Sequence, residues 1–70
     1  MNAEQIVIRA NGKQERLDAC TVFEFLKACG YRPTQVVVEC NGKVLDRGKL
    51  ETVILRDGDE LEVIVPVAGG

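Results

Sequence analysis

Two Asn-Gly dipeptides, Asn11-Gly12 and Asn41-Gly42, constrain this chain more than any other feature. Both central positions of a type I′ hairpin turn need positive φ, which Gly adopts freely and Asn tolerates. The first dipeptide therefore joins residues 4–10 (EQIVIRA) to residues 13–18 (KQERLD), placing Ile6 and Ile8 on one face and Val7 and Arg9 on the other. The second joins residues 35–40 (QVVVEC) to a short return at 43–45 (KVL). There Val36, Val38 and Cys40 share one side, with Val37 and Glu39 on the other.

Between the hairpins lies one helix with both ends written into it. Thr21-Val22-Phe23-Glu24 fits a capping box, with Cys20 and Phe25 placed as a hydrophobic staple. Val22, Phe25, Leu26 and Cys29 form one apolar stripe at helical spacing. Gly30 supplies the left-handed residue past the end, Tyr31 can touch Leu26 across it, and Pro33 prevents continuation. After the second hairpin, residues 46–56 cross the domain, and Leu50, Val53, Ile54 and Leu55 are expected to supply burial. Asp57-Gly58-Asp59 is a turn, and residues 60–65 form the last strand. Leu61, Val63 and Val65 face one way there, Glu62 and Ile64 the other.

This order predicts an α+β fold in two layers, because a single amphipathic helix can cover one face of one small sheet. The arrangement fits a β-grasp (ubiquitin-like) domain: a mixed sheet of four to five strands, with the first and last strands as parallel central neighbours. Residues 1–66 make the domain and residues 67–70 a C-terminal arm. At 70 residues there is room for one domain, and with 46% hydrophobic but 4% aromatic residues its core must be built from Val, Leu and Ile.

The composition also excludes functions. The chain has no His, hence no Ser–His–Asp or Cys–His pair and no residue that ordinarily titrates near neutrality. That argues against a self-sufficient enzyme, and no metal site is expected. A net charge of −2 is not the basic footprint of a nucleic-acid binder. Cys20, Cys29 and Cys40 are odd in number and form no C-x-x-C, which argues against a disulfide framework. All three read as core positions. No basic-then-apolar leader opens the chain, and the longest apolar stretch, 63–68, contains Pro66 and is too short to cross a bilayer. The expectation is a cytoplasmic chain without a membrane partner.

After Val65 the chain reads Pro66-Val67-Ala68-Gly69-Gly70. Pro66 cannot donate to a ladder, and the last three residues have almost no side chain to pack. A frayed terminus is the plain explanation. The alternative is a mobile arm thin enough to present its carboxylate inside another protein's active site.

Asn11-Gly12, Thr21-Val22-Phe23-Glu24-Phe25-Leu26, residues 36–42 (VVVECNG), Arg47, residues 55–63 (LRDGDELEV) and Gly69-Gly70 follow one another over nearly the whole chain. Together they resemble the ubiquitin-like sulfur carrier family (ThiS/MoaD type), most closely its thiamine-biosynthesis branch, ThiS. The short spacing from Gly30 to Gln35 is similar to the thiamine carriers, and the tail is similar to molybdopterin-type carriers. The resemblance implies no catalytic residue in this chain and no permanently bound cofactor. Gly70, preceded by Gly69, would be the sulfur-carrying end. A ThiF-like adenylating enzyme would activate the Gly70 carboxylate with ATP and magnesium. A cysteine desulfurase-derived persulfide would supply sulfur, giving a thiocarboxylate, and thiazole synthase would take that sulfur. A molybdopterin-type or other carrier, a ubiquitin-like protein modifier and a plain interaction module remain as alternatives.

Val37 and Ile64, with Val7 as a further candidate, lie by register on the face away from the helix and form a candidate partner-docking patch that Val67 extends toward the tail, against the alternative of scattered surface aliphatics. Asp57, Asp59, Glu60 and Glu62 read as turn chemistry and solvated strand positions, and Lys43, Arg47 and Lys49 as a solvated basic loop.

Overall fold

The computed structural model describes residues 4–67. Strands β1 (Gln5–Ala10) and β2 (Lys13–Asp18) form the first hairpin, in register from Gln5↔Asp18 to Ala10↔Lys13. Strands β3 (Val37–Cys40) and β4 (Lys43–Val44) form the second. Asn11 and Asn41 adopt φ of 51° and 54°, followed by Gly12 and Gly42 at 79° and 86°, as the turn chemistry requires. The last strand, β5 (Glu60–Ile64), enters the middle of the sheet, giving the order β2-β1-β5-β3-β4. It runs parallel to β1 and antiparallel to β3. The mixed sheet with one covering helix is a β-grasp fold.

Helix α1 (Val22–Ala28) has a complete N-terminus. The Glu24 amide donates to Thr21 Oγ1 at 3.0 Å, and the Thr21 amide donates to Glu24 Oε1 at 2.9 Å. The amides of Val22 and Phe23 donate to the carbonyls of Val53 and Leu50, each at 2.9 Å. All four donors that a helix leaves free at its start are thereby used, two by the capping box and two by the crossing segment. At the other end Tyr31 N–H reaches Leu26 O and Gly30 N–H reaches Lys27 O around Gly30 at φ 90°, which is a Schellman closure.

The core collects Ile6 and Ile8 from β1, Val22, Phe25 and Leu26 from α1, Val36 and Val38 at β3, Leu50 and Leu55 from the crossing segment, and Leu61 and Val63 from β5. No polar side chain is buried with them among the described residues.

Four expectations need correction. The third strand begins at Val37 because Pro33–Gln35 closes a 3-10 turn, leaving Val36 buried but outside the ladder. Cys29 is not core: it is the C-cap, where the chain leaves the helix through Gly30, and it lies exposed. Ile54 is 60% exposed, because an extended segment that buries Leu55 must turn its neighbour outward. Val65 is 58% exposed, since β3 offers no partner beyond the Val37↔Ile64 pair and the ladder stops there.

Thr21→Ala removes the acceptor for Glu24 N–H while sparing the core. We expect a loss of about 1 kcal/mol, read by calorimetry as a Tm lower by roughly 4–8 °C. Thr21→Ser should restore most of it.

Candidate functional site

The expected reactive end, Gly69 and Gly70, lies outside the described residues, as does the last part of the expected arm. The structure does describe the strand that leads there. The parallel ladder between β1 and β5 holds only two register pairs, Arg9↔Glu60 and Ala10↔Leu61. Backbone bonds extend it slightly: Arg9 N–H to Asp59 O and Asn11 N–H to Leu61 O, both 2.9 Å, and Gly58 N–H to Val7 O at 2.8 Å. Side chains carry it further at each end. Asp57 Oδ1 accepts Val7 N–H at 2.7 Å, and Asn11 Oδ1 accepts Val63 N–H at 2.8 Å. On the β3 side, Asn41 grips the start of β5. Its Oδ1 takes Glu60 N–H at 2.9 Å, and its Nδ2 donates to Asp59 Oδ1 at 3.0 Å.

Asp57 and Asp59 therefore do more than make a turn, and the two turn asparagines do more than tolerate positive φ. The sequence signals both residue types but not these long-range roles, because an Asx side chain that caps a local turn looks identical to one that reaches across the sheet.

On the face away from α1, Val37 and Ile64 are direct cross-strand partners, with Ile64 43% exposed. Val67 is 93% exposed just beyond the strand. The next pair along is Glu39↔Glu62, two carboxylates directly opposite, an arrangement that disfavours folding. Val44, opposite Glu39 on β4 and exposed, adds an aliphatic side chain that the sequence did not single out. Val7 does not join this group. It lies level with Gly58, six residues before Ile64 and on the order of 20 Å away along the strand direction. Alternation gave its face correctly, but only the parallel register gives its position along the sheet.

The cysteines are free, and burial pushes all three thiols above their ordinary value of 9.0. Nearby carboxylates add to the effect: Glu24 and Asp18 at Cys20, Glu15 at Cys29, Asp59 at Cys40. Held as thiols near neutrality, they are weak nucleophiles and poor metal ligands. Among the described residues no group of three or more His, Cys, Asp or Glu could hold a metal ion, and no helix is long and apolar enough to cross a membrane.

Raised thiol pKa values mean that the folded state holds these protons more tightly than the unfolded chain does. Their contribution is fully present below the ordinary thiol value and declines as pH rises past it toward the raised folded values. Iodoacetamide labelling at pH 7.5, followed by peptide mass spectrometry, should be slow and should modify exposed Cys29 first. Labelling should accelerate steeply above pH 9. Fast uniform labelling at neutral pH would contradict the thiol assignment.

One helix over a five-stranded mixed sheet, with the last strand at its centre, defines a small β-grasp domain. The sequence model of the ThiS family matches residues 2–70. The crystal structure of a thiamine biosynthesis protein (ThiS) from Geobacter metallireducens superposes with a TM-score of 0.80 at 32% identity, covering 93% of this chain and all of that one. An NMR solution structure of a thiamine biosynthesis protein from the same organism gives 0.76 at 32% identity, over 93% of this chain and 88% of that one. A thiazole synthase of Magnetococcus marinus is 36% identical over 64 residues, which span 90% of this chain but 20% of that protein's length. The chain belongs to the ThiS family.

Proposed function

We propose that this chain carries sulfur as a thiocarboxylate on Gly70 and delivers it to the thiazole of thiamine. The observation that carries this reading is the family match from residue 2 to residue 70, which includes the terminal Gly-Gly. A backbone carboxylate is a poor electrophile until it gains a leaving group. A separate ThiF-like enzyme, using ATP and magnesium, would supply one by forming an acyl-adenylate at Gly70. The terminal sulfur of a persulfide, derived from cysteine by a desulfurase, would then displace AMP to form an acyl disulfide. A thiol reductant would cleave its S–S bond, leaving the thiocarboxylate on Gly70 and a disulfide on the reductant side. The chain's own contribution would be the two glycines themselves: Gly69 and Gly70 lack Cβ atoms, so the backbone can approach a partner's reacting groups closely.

Thiazole synthase is the proposed acceptor. Support comes from the Magnetococcus marinus thiazole synthase, about a fifth of which is similar to nearly all of this chain. Val37, Ile64 and Val67 would dock the partner, and the Glu39–Glu62 pair beside them would suit a basic rim, since an arrangement that costs folding energy is relieved when an opposite charge arrives.

The direct test is intact mass after incubation with the activating enzyme, ATP, magnesium and a sulfur source. An oxygen-to-sulfur increase confined to the C-terminal peptide is expected, reversed when thiazole synthase and its substrate are added. Absence of that exchange overturns the assignment, and isopeptide conjugates would point to a protein modifier instead. For docking, Ile64→Asp should slow activation about tenfold while leaving Tm near that of the parent chain. Loss of stability in step with activity would remove the docking role.

A further inference from the structure

We propose that the Asn11 side chain is a positioning residue: by accepting the Val63 N–H it sets the direction in which the last strand leaves the domain. The proposal rests on the carrier reading above. At Asn11-Gly12 the chain of β1 turns away toward β2, so no further β1 carbonyl is available to Val63. An N–H can only donate, so the Asn11 atom facing it at 2.8 Å is Oδ1. The side-chain amide thus replaces the missing backbone carbonyl and adds one step to the parallel ladder. Val63 packs in the core, where an amide without an acceptor is costly.

The placement of this bond gives it a directional role. On the other edge of β5, pairing with β3 ends at Val37↔Ile64. Val63 and Ile64 are therefore held from opposite edges at consecutive residues, immediately before the exposed Val65. Without the Asn11 bond the end of β5 is tied on the β3 side only and can pivot about that edge. The residues leading to Gly70 would then approach a docked partner over a wider range of angles, lowering the fraction in reacting geometry.

The turn does not need the amide group, so the two roles of Asn11 separate. Gly accepts a φ of 51° at no steric cost but cannot accept the Val63 N–H, whereas Asp tolerates the same φ and keeps an acceptor oxygen. In Asn11→Gly, NMR-detected amide exchange at Val63 should accelerate by about tenfold while Ile64 and Leu26 stay close to the parent. Activation by the adenylating enzyme should show kcat lowered by about fivefold with KM within about twofold. Asn11→Asp should restore both. Should Asn11→Gly fail to fold, Asn11→Ser, whose side chain stops short of Val63, takes its place with the same thresholds. Parent-like exchange or kcat in that variant overturns the proposal. So does failure of Asn11→Asp to rescue, or an equal kcat loss in Val22→Ala, a destabilised variant far from the arm. If the parent chain itself is not adenylated, the carrier reading falls and the proposal with it. If the parent is adenylated and Asn11→Gly matches it, only the proposal falls.

Discussion

The rest of the structure depends on the short parallel pairing between β1 and β5. It joins the first and last strands at the centre of the sheet, and through it the two hairpins form one continuous sheet. Parallel pairing between segments so distant in sequence brings no local turn to help it form, so the entropic cost of closure must be met by the contacts themselves. Two register pairs are few for that purpose. Asp57 and Asn11 lengthen the ladder at either end with side-chain acceptors, and Ile6, Ile8, Leu61 and Val63 bury the sheet beneath α1.

The helix is docked by the same economy. Its capping box uses two of the four free donors, and the carbonyls of Val53 and Leu50 use the other two. The crossing segment has almost no regular structure, yet it is fixed in place because it completes the helix N-terminus and buries Leu50 and Leu55. Irregular backbone is tolerated there because its polar groups have partners.

Under the carrier reading proposed above, the chain would leave the domain from its best-anchored strand. β5 is flanked on both sides, gripped at its start by Asn41 and near its end by Asn11. The aliphatic pair Val37–Ile64 lies on the open sheet face at the point where the strand ends, so a partner that docks there also stands near the outgoing chain.

What the sequence determined by itself were the features set by short-range chemistry: both Asn-Gly hairpins, the capped helix from Thr21 to Gly30, the Asp-Gly-Asp turn and the inward and outward faces of each strand. Those follow from φ preferences and from periods of two and 3.6, which need no knowledge of distant residues. The terminal Gly-Gly and its family resemblance were legible in the same way. Only the tertiary structure decided which residues each element meets. Alternation put Val7 and Ile64 on one face, but the parallel register set them at opposite ends of it. The helical stripe included Cys29, but the fold leaves it exposed at the C-cap of the helix. Asn11 and Asp57 carried the same local signal as any turn residue, and their bonds to Val63 and Val7 exist because the fold brings the first and last strands together.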